Sequence, residues 1–319
     1  MESLLRRKLV FITGKGGVGK TTMAAAVGMM GARAGRKTVV VEVGEQSRLT
    51  DLYGIPTPEP GVETGLEPGL SSISIDPDRA LLEWLQALGG RVSGRVLASS
   101  GTFQYFAAAA PGAKELVSMV KIWQLTRGGR RSGNHDLVVV DAPATGHALG
   151  MLRSPQTFGA IARVGPIAGQ TQHVRDLLED PARTAYLAVA LATEMAVTEA
   201  LELEDGLQSQ LSRGLDAVLV NALMPRRFSP SELERIAALD GAGSGPAVSG
   251  PSRRRSDDGV RAAAARAART VHERGQFQHN QVARLRRRSF EVLSVPFVWG
   301  PGMDLDGVRG IADRLERKL

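Results

Sequence analysis

Eight residues from Gly14 to Thr21, GKGGVGKT, hold the densest chemistry in this 319-residue sequence. Glycines at 14, 16, 17 and 19 let backbone N–H groups converge on an anion without Cβ atoms in the way. Lys20 adds a positive charge for the β- and γ-phosphates, and the Thr21 hydroxyl is a ligand for Mg²⁺. Val18 and Thr22 complete the stretch that would surround the phosphates. The helix that starts here adds its positive dipole end to the same anion. The implied ligand is a nucleoside triphosphate with Mg²⁺. A second group opens at DAPATGHALGML, Asp141 to Leu152. Asp141 ends an apolar run, where ligand sites of α/β sheets lie, and supports the metal from behind its direct ligands. Pro143, Thr145 and Gly146 form a turn that can touch a terminal phosphate and move when it leaves. His147 has no second His, Asp or Glu at metal spacing nearby, so it reads as stabilising the turn.

Both groups need a buried strand before them and a helix after them, and the chain supplies that rhythm throughout. Runs at 8–13, 38–43, 70–75, 136–141, 186–192, 216–221 and 290–295 read as strands, mostly apolar on both faces. Helical patterns such as TTMAAAVGMMGARAG, DRALLEWLQAL and AKELVSMVKIWQL lie between them. The expected fold is α/β, a doubly wound, mostly parallel sheet with helices on both faces. We expect one domain over 1–319, with helical insertions at roughly 77–128 and 150–184, a flexible loop at 240–256 and a basic helix at 257–288. One phosphate loop and no internal repeat are present in the sequence.

Lys15 turns the phosphate loop into the form KGGVGKT, which resembles the deviant loops of the MinD, ParA, nitrogenase iron protein and ArsA group. In that group this lysine reaches across a dimer interface to the partner's nucleotide; the alternative is a solvated lysine that its loop position tolerates. DAPATGHALGML is similar to the switch II of the ArsA/Get-type ATPases, the arsenite-pump and tail-anchored-protein-targeting family. PGAKEL (Pro111 to Leu116), TEMAVTEALELEDGL, VLVNALMP and SVPFVWGPGMDLDGVRGIAD extend the resemblance over nearly the whole chain. It implies ATP and Mg²⁺ as cofactors, Lys15 and Lys20 in the catalytic set, and Thr21 and Asp141 at the metal. It also implies Asn221 as the adenine-reading residue, with Pro296 and Phe297 in the loop beside it. A nucleotide-driven dimer, homomeric or heteromeric, and a hydrophobic-helix or membrane-protein client follow from the same resemblance.

The sequence departs from that family at two places. Switch I usually reads close to DPAHSLSD, whose first aspartate orients the attacking water; aligning Leu49 and Asp51 with its end places Gly44 at the aspartate and Glu45 beside it. Phosphoryl transfer depends mostly on positioning and charge, so three outcomes stay open. Glu45 substitutes, Glu42 reaches in, or the chain binds nucleotide without fast turnover, as a nucleotide-gated binding protein or a subunit completed by a partner. The second departure is the absence of cysteine, which excludes arsenite held by thiolates and a CxxC zinc site.

A groove for a hydrophobic client would draw on Phe103, Tyr105, Phe106, Met119 and Trp123, or on 151–178; such stripes also build cores. The net charge of +7 belongs to one segment: 253–288 holds eleven arginines and three acids, +8, which leaves −1 elsewhere. With almost no aromatic residues among those arginines, no specific nucleic-acid reading is expected there, and membrane contact would be peripheral at most. The longest apolar stretch, Ala185 to Val197, falls short of the roughly 20 residues of a membrane span. With no signal-like N-terminus, the expected location is cytoplasmic, or peripheral at the inner face of the membrane.

Overall fold

In the computed structural model of the chain, residues 2–44, 47–88, 112–127, 135–161, 166–225, 227–241, 252–300 and 302–318 are described. A short helix α1 (Glu2–Leu5) leads into β1 (Leu9–Thr13), α2 (Lys20–Arg33), β2 (Thr38–Val43) and α3 (Arg48–Leu52). A hairpin of β3 (Thr64–Glu67) and β4 (Leu70–Ile75) follows, then α4 (Pro77–Leu88), α5 (Ala113–Arg127) and β5 (Leu137–Asp141). Two helices, α6 (Thr145–Ile161) and α7 (Pro166–Glu179), connect to β6 (Thr184–Leu191). The rest comprises α8 (Glu194–Leu211), β7 (Ala217–Leu223), α9 (Pro230–Gly241), α10 (Ser252–Leu285), β8 (Glu291–Pro296) and α11 (Leu305–Glu316).

The eight strands form one sheet in the order β3-β4-β2-β5-β1-β6-β7-β8, parallel except for β3. All five residues of β1 and the first four of β5 are buried; since alternate residues point to opposite faces, helices must cover both sides. This is the doubly wound α/β fold expected from the alternation of runs. β3 escaped the sequence reading because TGLE is short, half-exposed and paired irregularly at the sheet edge. β1 lies between β5 and β6, and the strands that follow it depart on opposite sides, so the carboxyl end of β1 is a topological switch point.

The helices that the sequence reading treated as insertions, α4 with α5 and α6 with α7, join β4 to β5 and β5 to β6. Met119 and Trp123 of α5, candidates for a client groove, are core residues: Met119 is fully buried, and Trp123 stacks on His173 with Arg127 over its ring. Phe103, Tyr105 and Phe106 lie outside the described residues. The basic helix begins at Ser252, earlier than expected. It buries Ala265, Val282 and Leu285, and Gln278 accepts a hydrogen bond from the Met224 N–H at 2.8 Å.

The last helix closes the core over the phosphate-loop helix. α11 packs on α2 through Val308, Ile311, Ala312 and Leu315, all fully buried, and Arg33 of α2 bridges Asp313 at 2.7 Å and Glu316 at 3.3 Å. The exposed ion pairs contribute little beside this apolar seam. Ile311→Ala is therefore expected to cost about 2–4 kcal/mol, read as a lower urea midpoint at unchanged slope. An unchanged midpoint would contradict the seam's place in the core.

Candidate functional site

The loop after β1 is shaped by close approach. A Cβ on Gly14 (φ +147°) would stand 2.1 Å from the Val189 carbonyl oxygen, and one on Gly19 (φ +96°) 2.4 Å from the Asn221 amide nitrogen. Neither position admits a side chain without moving its neighbour. Gly19 is also the residue from which α2 starts, so the loop delivers Lys20 and Thr21 in the first turn of a buried helix. The Lys20 ammonium folds back and donates to the Lys15 carbonyl at 3.1 Å. Burial lowers its pKa, while Asp141 works against that shift.

Asp141 ends β5, the strand beside β1. The Thr21 hydroxyl donates to Asp141 Oδ2 at 2.6 Å. The other oxygen, Oδ1, is buried and accepts no hydrogen bond among the described residues, and the same is true of the Thr145 hydroxyl. Burial raises the Asp141 pKa against the opposing pull of Thr21, Lys20 and Arg48. The Thr13 hydroxyl donates to the Pro143 carbonyl at 2.8 Å, so the loops after β1 and β5 are tied together.

Glu42 stands next to Asp141, in register with it on β2. It is 4% exposed, yet its carboxylate does not reach freely into the site. Oε1 accepts from the Arg48 N–H at 2.8 Å, and Oε2 accepts from the Ser47 hydroxyl at 3.2 Å; the Leu49 N–H lies 3.3 Å from both oxygens. Glu42 thus anchors the start of α3. Burial, helped by the neighbouring Asp141 charge, pushes its pKa up to about 7 despite those hydrogen bonds. Gly44 follows with φ +142° and no side chain; Glu45 lies outside the described residues.

These elements enclose a cavity of about 900 Å³. Of the residues singled out from the sequence, Gly16, Gly17, Gly19, Lys20, Thr21, Thr22, Asp141 and Pro143 line it, together with Glu42 and Gly44. Arg48, Leu52, Met303 and Val308 also line it and carried no sequence signal of their own. The donor set suits Mg²⁺: a hydroxyl whose proton is spent on Asp141, so that its lone pairs stay available, and a buried carboxylate oxygen with no partner among the described residues.

Gly14, Lys15, Val18, Thr145, Gly146, Asn221, Pro296 and Phe297 stand outside the cavity lining. Lys15 pairs with Glu199 of α8 at 2.6 Å, with both side chains about one-third exposed. Asn221 sits at an irregularity in the pairing of β7 with β8, before Ala222 at φ 54°. The irregularity turns its side chain onto the phosphate loop. Its amide donates to the Val18 carbonyl at 2.9 Å and its oxygen accepts from the Ala222 N–H at 2.8 Å. Pro296 pairs with Leu223, and the Phe297 ring meets Trp299 edge-on at 4.8 Å.

The family model described as anion-transporting ATPase (ArsA_ATPase) matches residues 7–170. ATPase BagA of Mycobacterium tuberculosis is 32% identical over 239 residues, 72% of this chain and 69% of that protein. ATPase get3 of Schizosaccharomyces japonicus is 29% identical over 184 residues, 53% of this chain and 54% of that one. A Halobacterium salinarum protein whose name refers to an arsenical pump-driving ATPase is 26% identical over 238 residues, 69% and 36% of the two chains.

Glu42 ties the site to pH. Its folded pKa, about 7, lies above the ordinary glutamate value of 4.5, so the fold binds its proton more tightly than the unfolded chain does. The associated stability is present below pH 4.5 and is lost as pH rises through 7. Glu42→Gln removes this equilibrium and is expected to flatten the decline of stability between pH 4.5 and 7 relative to the parent chain, measured by urea unfolding across that range. Identical slopes for the two proteins would refute the buried-carboxylate assignment.

Proposed function

Because the chain belongs to the anion-transporting (ArsA-type) ATPase family, we propose that it binds Mg·ATP in the cavity after β1 and hydrolyses it as a dimeric, nucleotide-driven conformational switch. The observation that carries this reading is the pairing of Thr21 with Asp141 beside Lys20, after a loop in which Gly14 and Gly19 leave no room for a side chain. Backbone N–H groups of 16–20 and the Lys20 ammonium would hold the phosphates, and Thr21 and Asp141 would hold the metal. Mg²⁺ held there by Thr21 and Asp141 would supply neutralising charge to the triphosphate. Asn221, already on the loop through Val18, would read adenine, with Pro296 and Phe297 beside the base. Lys15 would leave Glu199 and act on the partner's nucleotide. The client of such a switch would be a hydrophobic helix or membrane protein, with the protein at most peripheral to the membrane. Among the described residues no helix is long and apolar enough to cross a membrane.

A second reading is favoured by Gly44 and by the engagement of Glu42 with α3: nucleotide binding without rapid hydrolysis, or a heteromer whose other chain supplies the water-orienting carboxylate. Steady-state phosphate release with Mg·ATP, against Lys20→Ala as blank, separates the two. Turnover well above the blank supports the ATPase; binding with no turnover supports the second reading.

The dimer has its own test. Lys15→Ala is expected to leave nucleotide affinity of the monomer within about threefold of the parent and to abolish ATP-dependent dimerisation in sedimentation, since a residue acting in trans adds nothing to the unassembled site. Equal loss of both would rule out action across the interface.

A further inference from the structure

Four charged side chains line the cavity: Lys20, Asp141, Glu42 and Arg48. The first three have assigned work in the geometry described above. Arg48 does not. We propose that Arg48 is a ligand of the terminal phosphate, a cation supplied by the same chain from the β2–α3 connection, on the far side of Asp141 from Lys20. The proposal rests on the Mg·ATP reading of this cavity and extends it to a residue that discriminates triphosphate from diphosphate.

Strand order sets the direction. Lys20 follows β1, Asp141 ends β5 and Arg48 follows β2, and these three strands are consecutive in the sheet. Asn221, the base contact of the proposed function, lies toward the carboxyl end of β7, on the opposite side of β1. A nucleotide with its base at β7 and its phosphates on the loop after β1 therefore directs its last phosphate toward β5 and β2, where Arg48 lies.

Charge supports the same placement. Without Arg48, Lys20 faces Asp141 and Glu42, and even with Glu42 protonated the lysine only cancels the aspartate. A polyanion entering that cavity would meet no net positive side-chain charge. Arg48 acts on both neighbours already: its charge disfavours protonation of Lys20 and favours the ionised form of Asp141.

The residue is also held in a way that leaves its side chain free. Its own N–H is fixed on Glu42 Oε1 at 2.8 Å, and the next two residues, Leu49 and Thr50, are fully buried. The side chain itself is exposed on the cavity side, and among the described residues its guanidinium has no hydrogen-bond or ion-pair partner. A planar guanidinium suits phosphate oxygens through two parallel N–H donors. The segment that places glycine at the expected carboxylate thus brings in a cation four residues later.

Calorimetric titration with Mg·ADP and with a non-hydrolysable β,γ-imido analogue of Mg·ATP tests this on the full chain, with Arg48→Ala, Arg48→Lys and Lys20→Ala. Loss of a charge-assisted contact to one phosphate predicts that Arg48→Ala weakens the triphosphate analogue about tenfold or more while ADP stays within about twofold. Arg48→Lys should recover part of the loss, and unchanged ADP affinity shows that the variants are folded. Equal weakening of both nucleotides, or of neither, overturns the role of Arg48 and leaves the Mg·ATP reading standing. Failure of the parent chain to bind either nucleotide, or indifference to Lys20→Ala, overturns both.

Discussion

One largely buried carboxylate, Asp141, holds together the carboxyl edge of the sheet. Asp141 ends a strand with no exposed neighbour on either face, so its charge has to be met by the protein and not by water. One oxygen is met by Thr21, in the first turn of α2; Lys20 and Arg48 oppose the effect of burial through charge. Those three partners come from segments that follow β1 and β2, the strands on either side of β5. The parallel order of β1, β5 and β2 is therefore what puts lysine, threonine, aspartate and arginine into one cavity. The second carboxylate oxygen and the Thr145 hydroxyl remain unpartnered among the described residues, a cost of about 1–3 kcal/mol for each buried polar atom left this way. A site arranged around such atoms is arranged to receive something.

Glu42 shows how adjacent strands divide similar groups between different tasks. It is in register with Asp141, and both carboxyls are pushed toward protonation by burial. Asp141 keeps an oxygen without a partner, whereas Glu42 binds the opening residues of α3. The conformation of the β2–α3 connection thereby depends on a carboxylate whose protonation depends on the charges in the cavity. Adding or removing an anion there changes the field at Glu42, at Asp141 and at Arg48 together, so cavity contents and the placement of α3 are physically coupled.

Local rules made much of this legible in the sequence. Gly14 and Gly19 stand out because a left-handed backbone and close contacts leave no alternative residue, and the hydroxyl and carboxylate of Thr21 and Asp141 follow strand and turn patterns that local spacing reveals. Buried strands declared themselves as apolar runs, while β3 did not, because an exposed edge strand needs no apolar run. The order of the strands is not a local property, and neither are contacts that depend on it. Nothing in EVGEQSRLTDL says that Glu42 turns back to hold α3, or that Arg48 shares a cavity with a lysine from another strand. Glu199 is 184 residues from Lys15 and pairs with it only because α8 follows β6, the other neighbour of β1. For Met119 and Trp123 the sequence left groove and core both open, since a helix buried among other helices carries the same apolar stripe as one that lines a groove; the structure buries both.

The two lysines of the loop are held with unequal firmness, and that difference bears on how the site is completed. Lys20 is half-buried and lies within the field of Asp141, so moving it would leave a buried carboxylate with less compensation. Lys15 is paired at the surface, and an ion pair exposed to that degree contributes about 0–1 kcal/mol. The pair with Glu199 can therefore be exchanged for a stronger anion at little cost, while the arrangement around Lys20 cannot. Asn221 lies between these cases: each end of its amide already bonds backbone, yet a carboxamide oxygen accepts a second hydrogen bond and its nitrogen keeps a second proton. Within one chain the groups around Asp141 that line the cavity form a fixed set, and the groups suited to another ligand or another copy are those whose present partners compete least.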